Sequence, residues 1–151
     1  MCQNAIIREM KRKRADKMID HASYIAKVNE TNPFLRHNHM QAVHVSEERA
    51  VVEAKMSAEL RNSMGGVHAG LMFSMAEIAA GLLARSNGSK QVTLDTTFRY
   101  LRNSATDGII EAEAVYIKRG RTITMCRAYV REQGSDKNLA EGEFSFYCVG
   151  E

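Results

Sequence analysis

The sequence predicts an α+β fold in which one antiparallel sheet wraps around a single long helix. Three observations carry this. Residues 69–84 are apolar apart from Ser74, Glu77 and the glycines, and a helix that is hydrophobic almost all round must be covered on most sides. After residue 90 the pattern changes to period two, in runs rich in Thr, Val, Ile, Tyr and Phe, which reads as strands. At 151 residues, 44% hydrophobic and 26% charged, the chain fits one domain with a full core. A curved sheet around one helix covers both kinds of apolar surface.

The elements follow in order. Residues 4–28 contain no Gly or Pro, and their apolar residues recur at loose three-to-four spacing. This predicts one or two N-terminal helices. Asn32-Pro33 stops them, because the residue before proline resists the helical conformation. Residues 40–45 and 50–56 predict a hairpin across Ser46-Glu47-Glu48-Arg49. A turn-rich loop, residues 61–66, leads into the apolar helix, which ends at Ser86-Asn87-Gly88. Residues 92–101, 109–119, 122–133 and 139–149 then predict four antiparallel strands in a meander. In the last of these Ala140, Gly142, Phe144, Phe146 and Cys148 alternate with Glu141, Glu143, Ser145 and Tyr147, so one face is dry and the other wet. A wrapped sheet has exposed edge strands, which subunit pairing covers. A symmetric dimer is therefore expected, and two dimers packing into a tetramer is its natural extension.

Composition excludes several functions. The formal net charge is +3, but residues 1–17 hold six bases and two acids, so the remaining body is near neutral. This argues against nucleic-acid binding. The basic cluster reads as the solvated face of an N-terminal helix, or, as the weaker alternative, as a patch that attracts an anionic partner or ligand. The apolar stretch is too short and too polar at its middle to span a membrane, and the N-terminus has no secretory core. Cys2, Cys126 and Cys148 are an odd number without CxxC spacing, which indicates a reducing, cytoplasmic setting and no zinc site. His37, His39 and His44 read as surface histidines. His37 and His39 would share a strand face, but no carboxylate or cysteine accompanies them.

The chemistry concentrates around the apolar helix. An ionised Glu77 at its middle is costly unless paired or hydrogen-bonded. It has two readings: a structural acid paired with Arg85 or Arg99, or a reactive group. Asn62, Gly65, Gly66, His68 and Gly70 precede it. Alone, each is a turn, cap or packing residue. Together they make a glycine-bearing loop opening a helix, where free N–H groups and the helix dipole can hold an oxyanion.

Asn62-Ser63-Met64-Gly65-Gly66-Val67-His68-Ala69-Gly70, followed by Ser74-Met75-Ala76-Glu77-Ile78-Ala79-Ala80-Gly81, resembles the motif of hotdog-fold acyl-CoA thioesterases of the phenylacetate-pathway type. Thr93, Gly108, the turn Lys118-Arg119-Gly120-Arg121 and the ending Ala140-Glu141-Gly142 are also similar, so the resemblance covers roughly residues 35–149. It implies a single hotdog domain over residues 33–151 behind an N-terminal helical segment, residues 1–32. It implies an acyl-CoA substrate hydrolysed to free CoA and a carboxylic acid, coenzyme A entering only as part of the substrate, and no metal.

The resemblance also implies roles. Glu77 is general base or nucleophile. Asn62 holds the attacking water or the thioester. The backbone N–H of Ala69 polarises the thioester carbonyl. His68 contacts that carbonyl or orients the loop, and Thr93 stands near the acid. The acid and the Asn-bearing loop come from different subunits. Gly70 is expected to meet coenzyme A. By residue type the basic turn of Arg119, Gly120 and Arg121 reads equally as a solvated hairpin turn or as a site for the phosphates of coenzyme A. Met64, Met72 and Met75 are core filler or the lining of an acyl tunnel. Three positions depart from the pattern. Ala69 replaces the first Gly of His-Gly-Gly, Glu77 stands where Asp is commoner, and Tyr100-Leu101-Arg102-Asn103 replaces Tyr-Leu-x-Pro. A non-catalytic acyl-CoA binder on the same fold is the main rival reading. A dehydratase ranks below it, lacking the required His-bearing pattern.

Overall fold

The computed structural model describes residues 19–150. Among the described residues two helices, α1 (His21–Thr31) and α2 (Pro33–His37), precede the hairpin β1 (Met40–Val45) and β2 (Arg49–Lys55). A single 3-10 turn, Ala58–Leu60, leads to the long helix α3 (Ala69–Ala84). Strands β3 (Lys90–Tyr100), β4 (Ile109–Arg119), β5 (Ile123–Glu132) and β6 (Asn138–Gly150) complete one six-stranded sheet of order β1-β2-β4-β5-β6-β3. All pairings are antiparallel. Among the described residues no helix is long and apolar enough to cross a membrane.

Small residues set how closely helix and sheet approach. Ala50, Ala114, Ala128 and Gly142 form one cross-strand row through β2, β4, β5 and β6. The helix presents Met75, Ala76, Ala79, Ala80 and Leu83, all fully buried. An alanine-rich helix thus lies in an alanine-lined valley, and Ile110, Val130, Phe144 and Phe146 fill the space around it. At Gly142 a Cβ would stand 2.5 Å from the Phe98 ring and 2.8 Å from Thr97 O. The sheet closes tightly enough there to exclude any side chain.

Three expectations are corrected. The four C-terminal strands are not one meander. Strands β4, β5 and β6 are, but β3 lies beyond β6 and β4 inserts between β2 and β5. After Tyr100 the chain does not turn back. It crosses the start of α3, where Val67 N donates to Ser104 O at 2.8 Å and Met56 N to Gly108 O at 3.0 Å. Those bonds deliver the chain to the far side of the sheet. Pro33, read as a stop, also starts α2: its missing N–H costs nothing at a first helical position, and the Asn32 side chain accepts from Leu35 N at 3.1 Å. Because α2 runs to His37 and β1 begins only at Met40, His37 and His39 share no strand face. His39 has a positive φ of 54°. The basic cluster expected on an N-terminal helix falls in residues 1–17, outside the described residues.

The two sheet edges differ. Helix α1 packs along β1 through Tyr24, Ile25 and Val28. Its Asn29 side chain both accepts from Ala42 N and donates to Ala42 O, each at 2.8 Å. Strand β3 pairs only with β6, and its other side is unpaired among the described residues. Val92, Leu94 and Tyr100 are exposed there, Leu94 by 60%.

Candidate active site

The loop before α3 is locked by its own polar groups. Asn62 Oδ1 accepts from Met64 N and Gly66 N, both at 3.0 Å, and Asn62 N donates to Gly66 O at 2.9 Å. The turn takes Gly65 to φ 79°, a conformation that favours glycine. Gly66 lies against Asn103: a Cβ there would sit 2.2 Å from Asn103 Oδ1. Asn62 Nδ2 makes only a 3.5 Å contact with Val67 O, so its donor end is the one left for a ligand. Met64 stands 81% exposed at the loop tip, whereas Met72 and Met75 are buried in the core.

His68 caps the helix. Its Nδ1 accepts from Gly70 N at 2.9 Å, and its carbonyl accepts from Leu71 N and Met72 N at 3.0 and 3.2 Å. An accepting Nδ1 puts the proton of the neutral ring on Nε2. Gly70 serves this cap directly, since a Cβ there would stand 3.0 Å from His68 Nδ1. One donor of the first turn remains over: among the described residues the Ala69 N–H has no acceptor. An unpaired amide at a helix start is an electrophilic, dipole-assisted donor. Ala69 lines a groove of about 310 Å³ with Asn62, Met72, Tyr100, Arg102 and Asn103. His68 and Gly70 line a second groove of about 330 Å³ facing Phe34, Asn38 and Glu59. The helix start therefore stands between two depressions.

Glu77 lies two turns further along and lines neither groove. It is half-buried, and Thr93 Oγ1 donates to its Oε1 at 2.6 Å. Neither arginine considered from sequence holds it. Arg99 faces Glu141 at 3.7 Å, and Arg85 donates to Gln91 O at 3.4 Å. Eight residues of helix put Ala69 and Glu77 about 12 Å apart along the axis.

The third group lies elsewhere. Arg119 pairs with Thr124, which continues through Phe146 to Thr93 in one cross-strand row. Three strand spacings place it about 14 Å from Thr93. Its guanidinium lies 5.4 Å from the Tyr116 ring centroid and 3.5 Å from Glu47 Oε2. Gly120 has a structural reason: its N–H donates to Ile123 O at 3.1 Å, and a Cβ would meet that oxygen at 2.4 Å. Arg121 is exposed. Burial pushes the Tyr116 hydroxyl above its ordinary range, so it stays a neutral donor to Leu83 O at 2.6 Å.

The structure thus brings Asn62, His68, Ala69 and Gly70 together at the helix start, sets Glu77 with Thr93 on the flank of β3, and leaves Arg119, Gly120 and Arg121 at the β4–β5 hairpin. The sequence reading missed Tyr100, Arg102 and Asn103 as groove lining. The signal was present in Tyr100-Leu101-Arg102-Asn103, noted only as a departure from a pattern. Among the described residues no cluster of His, Cys, Asp or Glu has the makings of a metal site.

A family model described as a domain of unknown function, DUF4442, matches residues 21–139, and the chain belongs to that family. No curated protein matches it in sequence. Among solved structures the chain is similar to the conserved protein PA5202 from Pseudomonas aeruginosa, at 27% identity and a TM-score of 0.72 over 89% of this chain and 98% of that one. It is similar to a point mutant of the phenylacetic acid degradation protein PaaI from Thermus thermophilus, at 24% identity and a TM-score of 0.71 over 78% and 99%. It is also similar to a hypothetical thioesterase from Streptococcus pneumoniae solved with coenzyme A, at 22% identity and a TM-score of 0.68 over 74% and 87%. The fold is the hotdog fold that these structures share.

Proposed function

We propose that this DUF4442 member is an acyl-CoA thioesterase that works as a homodimer, each active centre drawing on two copies of the chain. The observation that carries the reading is the Thr93–Glu77 hydrogen bond. An acid in an otherwise apolar helix is held by a hydroxyl of the unpaired edge strand rather than neutralised by an arginine. Thr93 occupies Oε1 and leaves Oε2 to accept a proton. The unpaired Ala69 N–H is the matching electrophilic donor. Both groups have to reach one thioester, yet about 12 Å of helix separates them within one chain. Pairing of two copies along β3 brings the Ala69 of one toward the Glu77 of the other.

In this reading Glu77 takes a proton from water, and the hydroxide adds to the thioester carbonyl. The resulting oxyanion is held by the Ala69 N–H of the second copy, with Asn62 Nδ2 as a second donor. Collapse breaks the carbon–sulfur bond, and the proton on Glu77 passes to the leaving thiolate. The products are a carboxylic acid and free CoA. His68 acts through its cap, keeping the helix start in shape. Arg121, with Arg119 beside it, receives the phosphates of coenzyme A, and the relative solved with coenzyme A supports a CoA-bearing substrate. The free thiols Cys126 and Cys148 suit a reducing, cytoplasmic setting.

The experiment is a panel of short, long and aromatic acyl-CoA thioesters read by thiol release, on parent and Glu77→Gln protein, with thermal melting of the same batches. The expected result is turnover by the parent and a kcat reduced about 10²-fold or more in the variant, at an unchanged melting temperature. A folded Glu77→Gln protein that hydrolyses its best thioester at the parent rate overturns the reading and makes the protein an acyl-CoA binder.

A further inference from the structure

Positions 77, 81 and 85 form one stripe of α3, four residues apart. Glu77 ends on Thr93 of β3. Gly81 has no side chain, and the Arg85 guanidinium fills the space: a Cβ at Gly81 would stand 2.8 Å from Arg85 Nη2 and 3.6 Å from the Phe146 ring. Arg85 therefore folds back along the helix over Gly81, toward Glu77, and the glycine is the slot that admits it. One helical turn, about 6 Å, separates the Gly81 and Glu77 positions.

Among the described residues no carboxylate answers that charge, and the Arg85 side chain makes one hydrogen bond, to Gln91 O at 3.4 Å. A half-buried guanidinium has five donors to satisfy. Beside it the Gln91 side chain is only 7% exposed. Its Nε2 donates to Ser89 Oγ at 2.9 Å, and its Oε1, an acceptor that the guanidinium could also serve, is buried without a partner. An under-satisfied guanidinium thus borders the flank where Glu77 is held. A wall built only for an aliphatic or aromatic acyl group has no use for it, because burying unpaired donors is costly.

We propose that Arg85 binds an anionic end group on the acyl chain, so that the preferred substrates are mono-thioesters of short dicarboxylic acids. This rests on the thioesterase reading above and narrows its substrate class. With the thioester carbonyl at Glu77, a carboxylate one helical turn away falls under the guanidinium, which suits a short acyl chain. The positive charge also offsets the repulsion between that carboxylate and Glu77.

The test uses hydrolysis-resistant thioether analogues of glutaryl-CoA and valeryl-CoA, which differ at the far end of the acyl chain by carboxylate against methyl. Each is titrated calorimetrically into the parent, Arg85→Met and Gly81→Ala proteins. The parent is expected to bind the carboxylated analogue at least about tenfold more tightly, the worth of a charge-assisted hydrogen bond. Both variants should bring that ratio close to one, Gly81→Ala because its methyl displaces the guanidinium. Equal affinity of the parent for the two analogues, or binding of neither, overturns the assignment. So does an Arg85→Met protein that loses its self-association and weakens both analogues alike, since the arginine then serves an interface. Carboxylate-selective binding without turnover of either parent thioester leaves Arg85 its role and removes the hydrolase reading instead.

Discussion

The two edges of this sheet are built from the same backbone chemistry and are treated in opposite ways. At β1 the edge-facing N–H and C=O of Ala42 are both taken by one side chain, Asn29, and helix α1 covers the strand. The pairing also breaks register between Ala42 and His44, which blunts an edge further. At β3 a longer strand carries exposed Val92, Leu94 and Tyr100 and has no covering element among the described residues. In the proposed dimer this unsealed apolar edge is the one that docks. The chemistry follows the same division. Thr93, which holds Glu77, is on β3.

The largest effect should come from charging the open edge. Leu94→Lys leaves the monomer core intact and places a charge where a second copy must pair. Sedimentation at micromolar concentration should then show monomers, and thioesterase activity should fall with the lost dimer. A monomeric Leu94→Lys protein with full activity would break the link between edge and function. The sealed edge should respond differently. Asn29→Ala strands the Ala42 N–H and C=O and should cost about 1–3 kcal/mol, a drop of several degrees in melting temperature. Its self-association and the specific activity of the folded fraction should be those of the parent.

Much of this architecture was legible in the sequence, for identifiable reasons. Helix α3 runs over the predicted span, Ala69–Ala84, because an unbroken apolar run bounded by a cap and a Ser-Asn-Gly stop leaves little choice. Strand β4 also matches, Ile109–Arg119, with Glu111 and Glu113 alternating against Ala112 and Ala114. The place of β3 was not legible. Strand order depends on which way residues 101–108 cross the helix start, and that is settled by Ser104 and Gly108 carbonyls meeting distant amides. Helix α2 was hidden because proline opens a helix as readily as it closes one. At the site, the capping role of His68 followed from residue type, while the Glu77–Thr93 pair came through the family resemblance. Arg85 was considered only as a partner for Glu77. Its fold-back over Gly81 is a tertiary fact, with no periodicity to announce it.

The smallest effect concerns the core that both edges share. Cys126 is fully buried on β5, and burial pushes its thiol up to about 12. A raised value keeps the thiol protonated at neutral and mildly alkaline pH, and the thiolate is the reactive form. A thiol reagent at mildly alkaline pH should therefore spare Cys126 in the native protein and modify it in denaturant. Prompt native-state labelling of Cys126, read by peptide mass mapping, would mean the sheet opens easily.

The shared centre is tested most directly by complementation between two defective chains. Glu77→Gln removes the acid. Ala69→Pro removes the amide hydrogen at a first helical position, where proline is favoured, and the preceding His68 already has the extended backbone, φ −65° and ψ 133°, that proline requires of its neighbour. Each variant alone should be nearly inactive. Mixed after brief denaturation and refolding, they form dimers of which about half are hybrids, and each hybrid holds one centre with both groups intact. The account predicts recovery to about a quarter of parental thioesterase activity on this statistical basis. A mixture that forms hybrids and hydrolyses no faster than its separate components would contradict a centre shared between two chains.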